Sequence, residues 1–406
     1  MKLLDVTEFY SPSGGGVRTY LTEKCRWLAT HSDWEHVVVV PGSEDVETQW
    51  AASRVHVLRG PPVPASPGYH FLIAGRRLAE LVRRERPDVI EVGSPYLAPW
   101  LARRAARGAG VRVSLVAFVH ENPRLYARRL PWVVRAPLDA FLSMYLRTAH
   151  ANVDLAVAAG AENLAGLGVV STAVVPLGVD TELFHPRQRD PAWRSEIGAA
   201  PDQRVVLYVG RLSAEKGLGV PLATLDEVFG ATGALLVLIG EGHLRPKLER
   251  TARVRPDALR VLPFELDRAR LARAVASADL FLAPCPFETF GLAALEAMAS
   301  GLPVVGVDAA GIGRLLAGEG GEGGGADWGR TYRVGDAADC ARATRELLAS
   351  DIAGAGRRAR AEAVERYSWD RTFTELFGLY RRLAHQPAGA SRANSSAPSA
   401  APSISV

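Results

Sequence analysis

Cysteine is nearly absent. Cys25, Cys285 and Cys340 lie far apart with no C-x-x-C spacing, which leaves no pattern for a disulfide framework or a zinc site and fits a reducing, cytoplasmic setting. Lysine is almost as scarce, confined to Lys2, Lys24, Lys216 and Lys247. No stretch approaches the roughly 18 consecutive apolar residues of a membrane span. Polar residues also interrupt the N-terminal "MKLLDVTEFYSPSGGG" before a signal-peptide core could form. A formal net charge of +4 is too small to imply a nucleic-acid partner. What is present, with 48% hydrophobic residues in 406, is an ordinary globular chain too long for one hydrophobic core.

The charge is unevenly spread. Between Arg76 and Arg147 there are 14 Arg against six Asp and Glu, and the same stretch carries "RLYARRLPWVVRAPL". Such a pattern reads either as a solvated arginine-rich face or as a surface for anionic lipid headgroups, peripheral to the inner face of a membrane, or for an anionic acceptor.

Short β-branched runs alternate with amphipathic stretches: "KLLDV", "HVVVV", "RVHVL", "DVIEV", "VSLVAF" and "VDLAVA", then "RVVLYV", "ALLVLI", "LRVLP", "DLFLAP" and "PVVGV". Apolar runs this short, set between helical patterns, predict buried parallel strands with crossover helices. The fold class is therefore α/β, with two Rossmann-like doubly wound domains. The alternation restarts after a segment rich in Pro, Asp and Arg, which gives an N-terminal domain over 1–176, a linker over 177–203 and a C-terminal domain over 204–366. Two such domains facing one another leave a cleft at the carboxyl ends of their strands, where open α/β sheets bind ligands.

Over 367–384, Trp369, Phe373, Leu376, Phe377 and Tyr380 fall at helical spacing and predict a terminal helix packed on the body. The tail 385–406 is too poor in bulky apolar groups to fold, and "GEGGEGGG" at 318–325 reads as a flexible surface insertion rather than a ligand lid.

Gly14, Gly15 and Gly16 follow the first strand and precede a helix. Without Cβ atoms their amides can come close to a ligand, and the helix N-terminus favours negative charge. In "VLYVGRLSAEKGLG", Arg211 follows the first strand of the second domain and Lys216 stands where the next helix is expected to begin. A guanidinium and an ammonium so placed can neutralise a diphosphate from two directions; alternatively they are surface ion-pair partners of Glu215.

"ETFGLAALEAMASGLPV" sets Glu288 and Glu296 eight positions apart around a helix expected to start near Phe290. The amides of Thr289, Phe290, Gly291 and Leu292 would then gather at a helix N-terminus able to accept phosphate. Glu288 would take sugar hydroxyls and Glu296 ribose hydroxyls, since a carboxylate accepts paired hydrogen bonds from a vicinal diol. A structural role for Glu296 would need a basic partner, and its own helix offers none three or four residues away. His120, in "FVHENP" beside Glu121, reads by itself as a structural histidine at a strand end.

Together "SGGGVRTYL", "VPLGVDTELFHP", "YVGRLSAEKGL" and "ETFGLAALE" followed by "AMASGLPVV" resemble the retaining glycosyltransferase family 4, and the likeness covers about residues 1–384. The resemblance implies the GT-B fold, a hexosyltransferase activity without metal or cofactor, a nucleotide diphosphate sugar held mainly by the C-terminal domain and an acceptor held mainly by the N-terminal one. It assigns Arg211 and Lys216 to the departing diphosphate, Glu288 to the donor sugar, Glu296 to the ribose, Gly14–Gly16 to the vicinity of the diphosphate, and His120 to the donor sugar. It also implies same-face attack, with the leaving phosphate accepting the acceptor's proton.

"FVHENPRLYARR" is similar to the bacterial mannosyltransferase branch, which favours GDP-mannose as donor over a UDP-sugar; the acceptor hydroxyl would lie on a lipid-linked, polysaccharide or small-molecule partner. Residues 306–335 depart from the family pattern of a compact "GG" turn and an acid soon after "PVV". Alternatives on the same fold are a sugar-nucleotide epimerase, a phosphorylase with lysine-bound pyridoxal phosphate, for which no lysine stands in an obvious pocket, and a catalytically silent binding protein.

Overall fold

A computed structural model describes residues 1–385 apart from 13, 32, 65, 67, 122, 128–130, 152, 170 and 318–326. The insertion read at 318–325 and the tail from 386 lie outside the described residues. The chain forms two compact units, one of residues 1–12, 21–175 and the chain from Phe373, the other of residues 13–20 and 176–372. Residues 177–203, read above as a linker, group with the second unit.

The first unit runs β1 (Lys2–Val6), α1 (Gly16–His31), β2 (Glu35–Gly42), β3 (Val46–Trp50), β4 (Ser53–Arg59), α2 (Gly75–Glu85), β5 (Val89–Val92) and α3 (Ala98–Ala109). It continues with β6 (Ser114–Val119), α4 (Pro123–Ala127), α5 (Trp132–His150), β7 (Leu155–Ala158) and β8 (Thr172–Val174). The first turn of α1 groups with the second unit. The strands form one sheet in the order β3-β4-β2-β1-β5-β6-β7-β8, parallel throughout except for β3 against β4. Leu4, Val6, Val37, Val39, Ile90, Val92 and Ala117 fill its core with Leu78 and Val82 of α2 and Ala102 of α3. The sequence reading missed β3 and β8 because "VETQW" and "TAV" are exposed edge strands without an apolar run.

The second unit runs α6 (Pro191–Glu196), β9 (Val205–Val209), α7 (Gly219–Ala223), β10 (Leu235–Ile239), α8 (Arg245–Val254), β11 (Leu259–Leu262), α9 (Arg268–Ser277) and β12 (Leu280–Ala283). Then come α10 (Leu292–Ala299), β13 (Val304–Val307), α11 (Ala310–Ala317), β14 (Gly329–Tyr332), α12 (Ala337–Leu348), α13 (Ile352–Arg366) and α14 (Trp369–His385). Its six-stranded sheet, β11-β10-β9-β12-β13-β14, is parallel throughout. Residues of the 177–203 segment are pinned to this unit by ion pairs: Arg194 Nη1 lies 3.0 Å from Asp279 Oδ2, and Asp190 Oδ2 lies 3.1 Å from Arg273 Nη1.

From Phe373 onward, α14 belongs to the first unit, where Phe377 stacks 5.4 Å from Trp27 and meets Trp34 edge-on at 5.2 Å.

Strand order in the second sheet reverses between β9 and β12, which are adjacent although β10, α8, β11 and α9 lie between them along the chain. The carboxyl ends of neighbours at such a reversal diverge into loops of opposite sense and leave a crevice above the sheet. The segments leaving those two strands, 210–218 and 284–291, contain most of the charged residues singled out from the sequence.

Candidate active site of the second unit

After β9 the chain makes a single 3-10 turn, Ala214–Lys216, and ends it at Gly217 with φ 74°. The helix expected to begin at Lys216 is displaced: α7 starts only at Gly219. A Cβ on Gly217 would sit 2.3 Å from the carbonyl oxygen of Pro284, at the end of β12. Glycine therefore allows the turn to press against the neighbouring strand end, and that approach brings Lys216 to Glu288. Lys216 Nζ donates to Glu288 Oε2 at 2.8 Å.

Both partners of this pair are charged. Burial alone would push the Lys216 ammonium down, but the Glu288 carboxylate more than offsets it and holds the group above its ordinary value. The Lys216 charge beside Glu288 holds its carboxyl below the usual carboxylate range, against the effect of burial. Arg211 is open to solvent with Nη1 3.7 Å from Glu215 Oε1, while Ser213 donates to Glu215 at 2.5 Å. The surface ion pair considered for Arg211 thus exists, but it is long and leaves most of the guanidinium in water. Tyr208, buried below, donates its hydroxyl to the Arg211 carbonyl at 2.9 Å and fixes the bend after β9.

The helix expected near Phe290 starts two residues later, at Leu292, with Gly291 as its N-cap at φ 100° and ψ 48°. Such a backbone conformation is outside the right-handed helical region and defers the helix by itself. Its first internal bond runs from the Leu295 amide to the Gly291 carbonyl at 3.0 Å, so the amides of Leu292, Ala293 and Ala294 have no intrahelical acceptor. Thr289 and Phe290 precede the helix: Thr289 gives its carbonyl to Arg314 at 3.1 Å, and Phe290 is buried edge-on to Tyr367. The Glu288 carbonyl accepts from the Gly311 amide at 2.8 Å, so α11 holds the loop from the other side.

The glycine-rich turn belongs to this unit. Added Cβ atoms would meet the Phe264 ring at 3.0 Å from Gly14 and Leu292 Cδ1 at 3.3 Å from Gly16. The Gly15 carbonyl closes the first turn of α1 by accepting from the Thr19 amide at 3.1 Å. Two helix starts, those of α1 and α10, therefore lie close together within the unit, each with its positive dipole end.

Glu296 corrects one step of the sequence argument. Its own helix offers no base, but Arg268, at the start of α9, places Nη2 2.7 Å from Glu296 Oε1. The carboxylate is nearly buried and paired, so its structural role is real; the paired group retains a second oxygen.

His120 sits in the first unit directly after β6. Its ring lies 4.7 Å from that of Phe118. Burial, reinforced by the Lys24 charge, lowers the imidazole to about 3, so it is neutral at physiological pH. The same sheet shows Glu8, which sequence reading passed over: just beyond β1, at the strand-order reversal between β1 and β5, it accepts from the amides of Leu97 at 2.9 Å and Ala98 at 3.1 Å and from Ser94. Burial raises its carboxyl above the ordinary value. The available signal was its place one step past the first strand of a doubly wound sheet.

The solved structures that this chain is similar to include sucrose-phosphate synthase from Thermosynechococcus elongatus, with TM-score 0.74 and 19% identity over 94% of this chain and 99% of that one. HepE of Anabaena in complex with UDP-glucose gives 0.71 and 19% over 94% and 100%. With its two parallel Rossmann-like sheets, the fold is GT-B. Residues 4–376 match the family described as Family 4 Glycosyltransferase in conflict systems, and the chain belongs to the family 4 glycosyltransferases. A GDP-mannose-dependent alpha-(1-6)-phosphatidylinositol dimannoside mannosyltransferase of Mycobacterium tuberculosis is 34% identical over 314 residues, 75% of this chain and 79% of that protein.

Proposed function

We propose that the second unit binds a nucleotide diphosphate sugar, GDP-mannose before a UDP-sugar, and that the protein transfers the hexose, with retention and without a metal ion, to an acceptor hydroxyl. The acceptor is carried by a lipid-linked, polysaccharide or small-molecule partner, and the lipid-linked class is favoured by the relative's phosphatidylinositol-based acceptor. The observation that carries the reading is the Lys216–Glu288 pair at 2.8 Å, held at a strand-order reversal beside the start of α10.

In this reading Lys216 and Arg211 meet the negative charge that grows on the diphosphate as the glycosidic bond breaks. The start of α10 and the Gly14–Gly16 turn add backbone dipoles of the same sense. Preorganised donors of this kind lower the barrier because they need no reorientation as charge develops. Glu288, ionised and fixed by Lys216, accepts hydroxyls of the donor sugar, and Glu296 uses its second oxygen on the ribose. His120, neutral, hydrogen-bonds the donor sugar without adding positive charge beside a ring that is itself becoming positive. The leaving phosphate accepts the acceptor's proton.

The test is a melting-temperature screen against GDP-mannose, UDP-glucose and their free nucleotides, followed by transfer assays with the stabilising donor with and without EDTA. Product anomeric configuration is read by NMR. Stabilisation by a nucleotide sugar, retained configuration and activity unchanged by EDTA are expected; no stabilisation by any donor would remove the reading, and inversion or chelator sensitivity would remove the corresponding part.

A further inference from the structure

Helix α5 turns an apolar face to water. In a water-soluble helix the buried stripe is apolar and the exposed one is charged. Here the solvent face runs from Val133 through Pro137 and Ala140 to Phe141 and Met144 without a charged residue, and Val133, Phe141 and Met144 are each more than half exposed. These positions recur at three and four residue intervals, so they form one continuous stripe. Trp132, 74% exposed, stands at its N-terminal end. Single exposed apolar residues need no explanation, whereas a contiguous stripe of large ones marks a contact surface.

Charge decides what that surface contacts. Asp139 is the sole acid of α5, and Arg124 neutralises it with two hydrogen bonds, at 2.8 and 2.9 Å. Exposed Arg135 and Arg147 lie on the same helix as the stripe. The apolar area extends beside α5: Tyr145 donates to the Tyr96 carbonyl at 2.8 Å, and a hydrogen bond joins it to Trp100, itself 44% exposed. No described helix is long and apolar enough to cross a membrane. An uncharged stripe ended by tryptophan and accompanied by exposed arginines matches the two layers of a lipid surface, acyl chains below and anionic headgroups above. A second copy of the same face would oppose arginine to arginine.

We propose that α5, with Trp132 and Trp100, is a docking surface for an anionic lipid bilayer. The proposal is independent of the transfer reaction and of which donor the second unit takes.

Vesicle flotation tests it with the full chain, comparing vesicles of equal parts phosphatidylglycerol and phosphatidylcholine with phosphatidylcholine alone. Wild type is expected to float with the anionic vesicles and to lose about tenfold in apparent affinity on neutral ones or at high salt. The double variant Phe141→Ser, Met144→Ser should lose about tenfold or more on anionic vesicles, and Arg135→Gln, Arg147→Gln should lose most of the salt dependence. Unchanged melting temperatures and donor-induced stabilisation would show that each variant folds.

Failure of wild type to float, or flotation of the apolar double variant equal to wild type, overturns the proposal. So does light scattering that finds a wild-type dimer made monomeric by the double variant, which would assign the face to a second copy, or binding of an acidic protein in place of vesicles.

Discussion

Arg268, the first residue of α9, faces Glu296 in the middle of α10, with 2.7 Å between Nη2 and Oε1. The pair gives Glu296 two tasks, which substitution can separate. Glu296→Gln keeps a hydrogen-bond acceptor for Arg268 and should fold normally while weakening nucleotide-sugar binding about tenfold, measured by calorimetry. Arg268→Ala instead strands a nearly buried carboxylate and should cost about 1–3 kcal/mol of stability in chemical denaturation. Unchanged donor affinity in Glu296→Gln would leave the residue with its structural task alone.

Lys216 and Glu288 act as one unit, so their variants should not be additive. Lys216→Ala is expected to lower turnover by about 100-fold or more, which corresponds to removal of one transition-state donor worth about 3 kcal/mol. Glu288→Gln should also lower it, because the ammonium keeps an acceptor but loses the negative charge that holds it in place. The double variant should then be little worse than Lys216→Ala, as single-turnover rates would reveal. Arg211→Ala, which leaves the pair intact, should cost a similar factor and multiply with Glu288→Gln.

The sequence made the sheets legible where strands are buried on both faces, because "HVVVV" or "ALLVLI" has no polar alternative reading. It hid β14, whose "GRTY" is one apolar side chain among polar ones and is placed only by pairing with β13. Lys216 and Glu288 could be nominated from their places after strand ends, but their distance depends on β9 and β12 being neighbours. Arg268 was invisible as a partner of Glu296, since a contact between two helices depends on register that no local spacing records. Gly291 was read for its amide at a helix start, whereas its backbone angles also delay the helix.

Gly217 and Gly291 offer a graded test of that backbone chemistry. Gly217→Ala places a Cβ 2.3 Å from a backbone carbonyl, which cannot move without β12, whereas Gly291→Ala meets only the Cδ1 methyl of Ile312, at 2.6 Å. Gly335 has a similar φ of 77° and open space around it, so Gly335→Ala isolates the conformational cost, about 1 kcal/mol. The expected order of melting-temperature loss is Gly217→Ala, then Gly291→Ala, then Gly335→Ala. Only the first two should reduce transfer.

The first unit closes over a buried charge cluster whose response to pH has a definite sign. Lys24 bonds Asp5 Oδ2 at 3.0 Å and Glu91 Oε2 at 2.6 Å, His36 Nε2 lies 2.9 Å from Asp5, and Tyr380 of α14 donates to Glu91. Removing the ammonium by Lys24→Met would leave two carboxylates facing one another and should cost about 3–5 kcal/mol. Burial opposes protonation of His36, but its bond to Asp5 prevails and raises it from 6.5 to about 9. Its contribution is therefore complete below pH 6.5 and is lost as the pH rises through about 9, because the unfolded chain releases the proton first. Across that window wild type should lose up to about 3 kcal/mol more than His36→Asn in urea melts. A variant whose stability falls as steeply as wild type between those limits would place the titration elsewhere.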